Sequence, residues 1–98
     1  MAENEAEKPT KPLSIYDILA ILIEQISSVS WQKLGLQPDP MTGKIELDLV
    51  EAKVAIDVTA NMVQHLESQL DEEDRRRLHS LLRDLKINYV QKSQAGST

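Results

Sequence analysis

DLVEAKVAIDVTANMVQHLESQL, residues 48–70, decides the fold. Neither Gly nor Pro interrupts it. Leu49, Ala52, Ile56, Ala60, Val63, Leu66 and Leu70 recur at steps of three and four, the spacing that puts side chains on one face of an α-helix. Asp48 stands at the head with Glu51 three positions on, a capping-box pattern in which the side chains satisfy backbone donors of the first turn. The spacing predicts a helix from Asp48 to Leu70. The same stretch carries a second apolar row. At about 100° per residue, Val50, Val54, Val58 and Met62 fall together, roughly opposite the Leu49/Ile56/Val63/Leu70 row. A helix in a three-helix monomer needs one wide apolar stripe, not two opposed ones. The second row is therefore expected to be covered, by another helix, by the loop at Ile45 and Leu47, or by a second copy of the chain.

Downstream, a third helix is predicted from Asp71. Four acids, Asp71 to Asp74, occupy its first turn, where the helix dipole favours negative charge, and Leu78, Leu81, Leu82, Leu85 and Tyr89 form its apolar stripe. The Leu70–Asp71 joint has no Gly or Pro and reads as a tight turn or kink. Upstream, a first helix is predicted from Ser14, with Asp17 as an acidic variant of the capping box. Its apolar face is read as Ile15, Ile18, Leu19, Leu22, Ile26 and Val29. Ile21 and Trp31 fall on its polar side, as a weaker second apolar feature. Gly35 is the expected left-handed terminator. Between the first two helices, Pro38 and Pro40 exclude a continuing helix. Pro40 to Gly43 is read as a turn with Gly43 at positive φ. Ile45 and Leu47 are expected to pin this loop to the helices.

The two ends are polar and offer almost nothing to bury, so they are read as disordered: an acidic tail over 1–13 and a second tail over 93–98. The prediction is an all-α three-helix bundle in a single domain, 14–92. With 98 residues, 41% hydrophobic, the chain is near the size at which a lone core becomes marginal.

Composition narrows the function. Cysteine is absent, which removes disulfides, thiol nucleophiles and thiolate metal sites. A net charge of −5 argues against a protein that coats nucleic acid without sequence preference. The longest apolar run, Ile18 to Ile23, is far short of the roughly 20 residues needed to span a bilayer. The N-terminus resembles neither a signal nor a transit peptide. His65 and His79 stand alone on different helices, without the spacing of a metal site. Ser14, Ser27, Ser28, Ser30 and Ser68 have no candidate base and read as caps or polar-face residues. Phosphate loops, zinc motifs and nucleophile elbows are missing. Asp57 follows Lys53 by four residues, either an ion pair on a solvated face or a partly buried carboxylate joining the loop or another helix. The run Arg75-Arg76-Arg77-Leu78-His79 invites a nucleic-acid reading. However, Asp71 to Lys92 holds six bases against five acids, and no aromatics interleave to stack on bases.

Leu34-Gly35-Leu36, then Pro38, Pro40, Thr42 and Gly43, then Asp48-Leu49, Ala52-Lys53 and Ile56-Asp57 resemble a small bacterial family designated a domain of unknown function. Its pattern is LGL-x-P-x-P-x-TG, then DL-x-x-AK-x-x-ID, with a DLRxxYV ending. Asp84 to Val90 is similar to that ending, with Lys86 in place of Arg. One block departs: Leu66 to Leu70 replaces a KTKGNL-like connector. The resemblance runs from about Ser14 to Val90. It implies an all-helical, cytoplasmic bacterial protein and no particular activity.

The expectation is a non-enzymatic, cytoplasmic interaction or structural module without cofactor or metal. It is expected to self-associate, as a dimer first, with an unidentified protein as a further possible partner, and not to use a membrane. The candidate interface is Val50, Val54, Val58, Met62, Ile21 and Trp31. The candidate structural motif is Gly35, Pro38, Pro40, Gly43, Asp48, Lys53 and Asp57. The alternative is a regulatory nucleic-acid-associated protein using the basic side of the third helix. A peripheral membrane role for the first helix ranks lower, because its polar face carries Asp17, Glu24 and a single Lys33.

Overall fold

The computed structural model describes residues 11–96. It contains α1 (Ile15–Lys33), α2 (Leu49–Leu66) and α3 (Glu72–Gly96), with a single 3-10 turn, Glu67–Gln69, between α2 and α3. The described residues are 75% helical and form no strand.

Each helix begins where its cap residue stands. Ser14 is extended and its hydroxyl accepts from the Tyr16 N–H at 3.2 Å. Asp48 caps α2, its carboxylate accepting from the Glu51 N–H at 3.0 Å. Asp71 does the same for α3, accepting from the Asp74 N–H at 2.8 Å. Each bond satisfies one of the donors that a helix start leaves unpaired. α1 ends in a Schellman motif: Gly35 sits at φ +75°, its N–H donates to the Gln32 carbonyl, and the Leu36 N–H donates to the Trp31 carbonyl. The α2–α3 joint is tight. After the 3-10 turn, Leu70 is extended (ψ 145°), and the helix restarts at Glu72.

The helices form an up-down-up arrangement. Ile23, from the first half of α1, packs with Val63 and Leu66 at the end of α2 and with Leu70, Leu78 and Leu82. Leu34, just past the end of α1, packs with Ala52 and Ile56 at the start of α2 and with Leu85, flanked by Trp31, Leu81 and Tyr89. α3 therefore lies over one side of the α1–α2 pair, and the molecule measures only 18 Å along its shortest axis, about two helix layers.

The α2 row is buried or half-buried as predicted, but Ala55 and Thr59 join it. The buried face of α1 is Ile23, Ser27 and Ser30, not the Ile15/Leu22/Ile26 row. The serines enter the interior because their hydroxyls are satisfied within their own helix: Ser27 donates to the Glu24 carbonyl, and Ser30 to the Ile26 carbonyl, both at 3.0 Å. Thr59 donates likewise to Ala55 at 2.7 Å. Small residues let α1 and α2 approach closely, so this pair forms the most extensive helix contact.

α2 ends at Leu66 rather than Leu70, where the backbone tightens into the 3-10 turn. α3 continues through 93–96, in place of the expected tail; helical hydrogen bonding carries over from the preceding turns without a Pro to stop it. Of the remaining tail residues, 11–13 are exposed and non-helical ahead of α1, and 1–10 and 97–98 lie outside the described residues. The loop is not pinned by its aliphatic side chains, since Ile45 and Leu47 are both more than half exposed. It is held by backbone instead, through an isolated antiparallel bridge between Leu34 and Leu47 and an Asp48 N–H to Lys33 carbonyl bond of 2.8 Å.

Candidate interaction surface

The α1–α2 pair has two broad sides. α3 covers one. The other exposes large aliphatic residues from both helices: Ile15, Leu22 and, partly buried, Ile26 and Val29 on α1, with Val54 and Val58 on α2. Ile26, Val29, Val54, Ala55 and Val58 line a groove between the two helices, with Glu51 at one end. Val50, Val54 and Val58 are 78%, 59% and 42% exposed. Neither α1 nor the loop residues Ile45 and Leu47 cover this row. Met62 is half-buried against the Ile23–Val63–Leu66 cluster and closes the far end of the row.

The two candidates on α1 do not belong to this side. Trp31 packs into the cluster under α3. Ile21 is exposed, but it lies about 140° around the helix from Ile26, on the outer edge of α1. Sequence reasoning assigned Ile26, Leu22 and Val29 to the core because they form the most apolar row of α1. The signal that could have placed them outside is the pair of α2 alanines, Ala52 and Ala55, whose small side chains mark where α1 must sit.

The motif residues have structural positions. Gly43 is at φ +71° with open space around it. The turn is organised by Asp39, which the sequence reading passed over. Its carboxylate accepts from the Met41 and Thr42 N–H groups at 2.7 and 3.2 Å, and its carbonyl accepts from the Gly43 N–H at 2.7 Å. Pro38 and Pro40 flank it, and Pro40 supplies the preset φ of the turn's second residue. Lys53 and Asp57 form an ion pair of 2.8 Å, and both side chains are more than half exposed. They edge a shallow notch floored by Ile56, Tyr89 and Val90. Lys33 reaches from the end of α1 to Glu51 on α2 at 3.2 Å. Hydrogen bonding to Glu51 holds the Lys33 ammonium above its usual 10.5, and bonding to Asp57 does the same for Lys53.

The basic residues of α3 divide between the α2–α3 joint and the exposed surface. Arg75 donates to the Leu70 and Glu67 carbonyls at 3.1 and 3.4 Å, clamping the α2–α3 joint. His79 pairs with Glu67 across the same joint. Arg76 pairs with Glu72 and Arg77 with Asp74, at 3.7 and 3.4 Å. Among the described residues, no group of three or more His, Asp or Glu is placed to hold a metal ion, and no helix is long and apolar enough to cross a membrane.

The family described as "Domain of unknown function (DUF1844)" matches the chain over residues 16–91, from the first turn of α1 to near the end of α3. No curated protein and no solved structure matches it. The chain belongs to that family.

Proposed function

We propose that this member of the DUF1844 family is a non-enzymatic helical module that self-associates through the bare side of its α1–α2 pair. One observation carries the reading: Leu22, Ile26, Val29, Val54 and Val58 form a continuous apolar surface from two helices on the side α3 leaves open. Single exposed valines need no explanation, but a contiguous two-helix patch does. Closed two-fold dimers are the commonest way for such a patch to be buried. α2 is roughly 27 Å long and a helix pair about 20 Å wide, so two copies would cover on the order of 1,000 Å² in total. That is the lower bound for a specific interface and fits a dimer of about micromolar affinity.

The test is sedimentation equilibrium combined with circular dichroism. The wild type is expected to be dimeric at tens of micromolar. Val54→Glu and Val58→Glu each place two unpaired carboxylates in the contact, at a cost of several kcal/mol, and should yield helical monomers. Gln64→Glu, exposed on another side of α2, should leave the dimer intact. Wild type that stays monomeric at hundreds of micromolar removes the proposal. Loss of helix in Val54→Glu or Val58→Glu would also overturn it, because the row would then be core.

A further inference from the structure

The bare side of α2 ends in two different polar groups. Glu51 stands at its N-terminal end, in the groove. His65 stands at its C-terminal end, exposed and without a hydrogen-bond partner among the described residues. By helical rotation His65 points between the directions of Val54 and Val58, so it continues their row. The residue midway between Glu51 and His65 is Val58, the least exposed of the three valines.

The geometry points to a two-fold antiparallel pairing of α2 with α2 of a second copy, its axis passing beside Val58. This rests on the self-association reading and specifies its register. Val58 then meets Val58 of the second copy, Val54 meets Met62, and Glu51 meets His65, twice by symmetry. Glu51 and His65 each lie seven residues from the centre, about 10 Å along the axis, so the two polar contacts bracket an apolar middle. Lys33 takes one carboxylate oxygen of Glu51, Oε1, and leaves Oε2 to accept from the imidazole. The groove between α1 and α2 receives the second copy's α2, with Ile26 and Val29 against its flank.

A parallel pairing would set Glu51 against Glu51 and His65 against His65. The two Glu51 carboxylates would then oppose each other with no imidazole beside them, and the two helix dipoles would be aligned side by side. Charge therefore selects the antiparallel arrangement on a surface whose aliphatic residues alone would permit either.

Cysteine scanning of the cysteine-free chain reads the register directly. Disulfides need Cα atoms within about 7 Å. Val58→Cys is expected to cross-link to itself under mild oxidation. Val54→Cys is not, because antiparallel symmetry places its two copies about 12 Å apart. Val54→Cys combined with Met62→Cys should cross-link again. Ile21→Cys, on the outer edge of α1, serves as the unlinked control. As a second probe, His65→Glu should weaken the dimer about fivefold and His65→Lys should not. If sedimentation shows a dimer but Val54→Cys links as readily as Val58→Cys, the pairing is parallel and the register is wrong while self-association stands. A dimer in which neither links, or in which His65→Glu has no effect, also rejects the register. A monomeric wild type rejects both.

Discussion

Ser30 is completely buried in the contact between α1 and α2, and its hydroxyl donates only to the Ile26 carbonyl of its own helix, at 3.0 Å. That carbonyl also accepts from the helix backbone, so removing the hydroxyl strands no buried polar atom. Ser30→Ala should therefore lose little packing and gain the better helix propensity of Ala, about 0.5 kcal/mol. The result expected is neutral to slightly stabilising. Ser30→Leu is the opposite case. It adds three carbons where Ala52, Ala55 and Thr59 leave no slack, and overpacking of this kind costs about 1–3 kcal/mol. With a urea m-value of about 1 kcal/mol/M for so small a domain, the midpoint should fall by roughly 1–3 M. Urea unfolding followed by circular dichroism, at one fixed protein concentration because association adds to apparent stability, measures both. A loss above 1 kcal/mol in Ser30→Ala would mean that the hydroxyl bonds across the interface, and a tolerated Leu would mean that the helices are not in close contact. Either result refutes the small-residue account of the α1–α2 pair.

Gly43→Ala should destabilise by about 1 kcal/mol from backbone strain alone, since φ is +71° and a Cβ would meet nothing; Gly43→Asn should recover part of it in the same urea assay. The triple substitution Arg76→Gln, Arg77→Gln, Arg83→Gln should leave DNA and RNA retention unchanged and negligible in a filter assay, whereas salt-sensitive binding by the wild type that the triple abolishes would favour the nucleic-acid reading. The raised Lys33 and Lys53 values mean that their pairs support the fold fully below the ordinary lysine value of 10.5 and lose that support as pH rises through the higher folded values. The stability gap between wild type and Lys33→Met should accordingly hold below the ordinary lysine value of 10.5 and narrow as pH rises above it.

The local signals in the sequence were legible because each rests on a single residue's stereochemistry. Ser14 and Asp48 cap helices because a short oxygen-bearing side chain can reach the first-turn donors without help from tertiary structure; Asp71, expected inside the first turn of α3, stands one residue ahead of it and caps it in the same way. Gly35 and Gly43 take positive φ for an equally local reason. Lys53 and Asp57 meet because four residues is one helical turn. The α2 row was legible because a single long helix without a breaker leaves only one period to fit. Asp39 was missed because two prolines drew the reading, although an Asp ahead of a Pro is itself a turn signal.

What the pattern did not disclose is which apolar row a helix turns inward. α1 carries aliphatic residues over more than a third of its circumference, and apolarity alone favoured Ile15, Leu22 and Ile26 as core. The structure turns that row to the open side and buries Ile23, Ser27 and Ser30 instead. Close backbone approach explains the choice. Two helices joined at one end by the Leu34–Leu47 bridge and the Lys33–Glu51 pair must be separated along their length by side chains that fit between them. Ala52, Ala55 and Thr59 of α2 leave room for serine, not for a second layer of leucine and isoleucine. Hydroxyls that bond back to their own helix make such residues cheap to bury, so hydropathy scales misplace them. The large aliphatics of α1 are then displaced to the flank, beside Val54 and Val58 displaced from α2 by the same contact. The close-packed small-residue contact and the bare aliphatic surface are consequences of one arrangement. A change that opened the contact by lengthening Ser30 or Ala55 would also pull Ile26 and Val58 apart. Ser30→Leu should for that reason weaken dimerisation as well as folding, even where its helices survive.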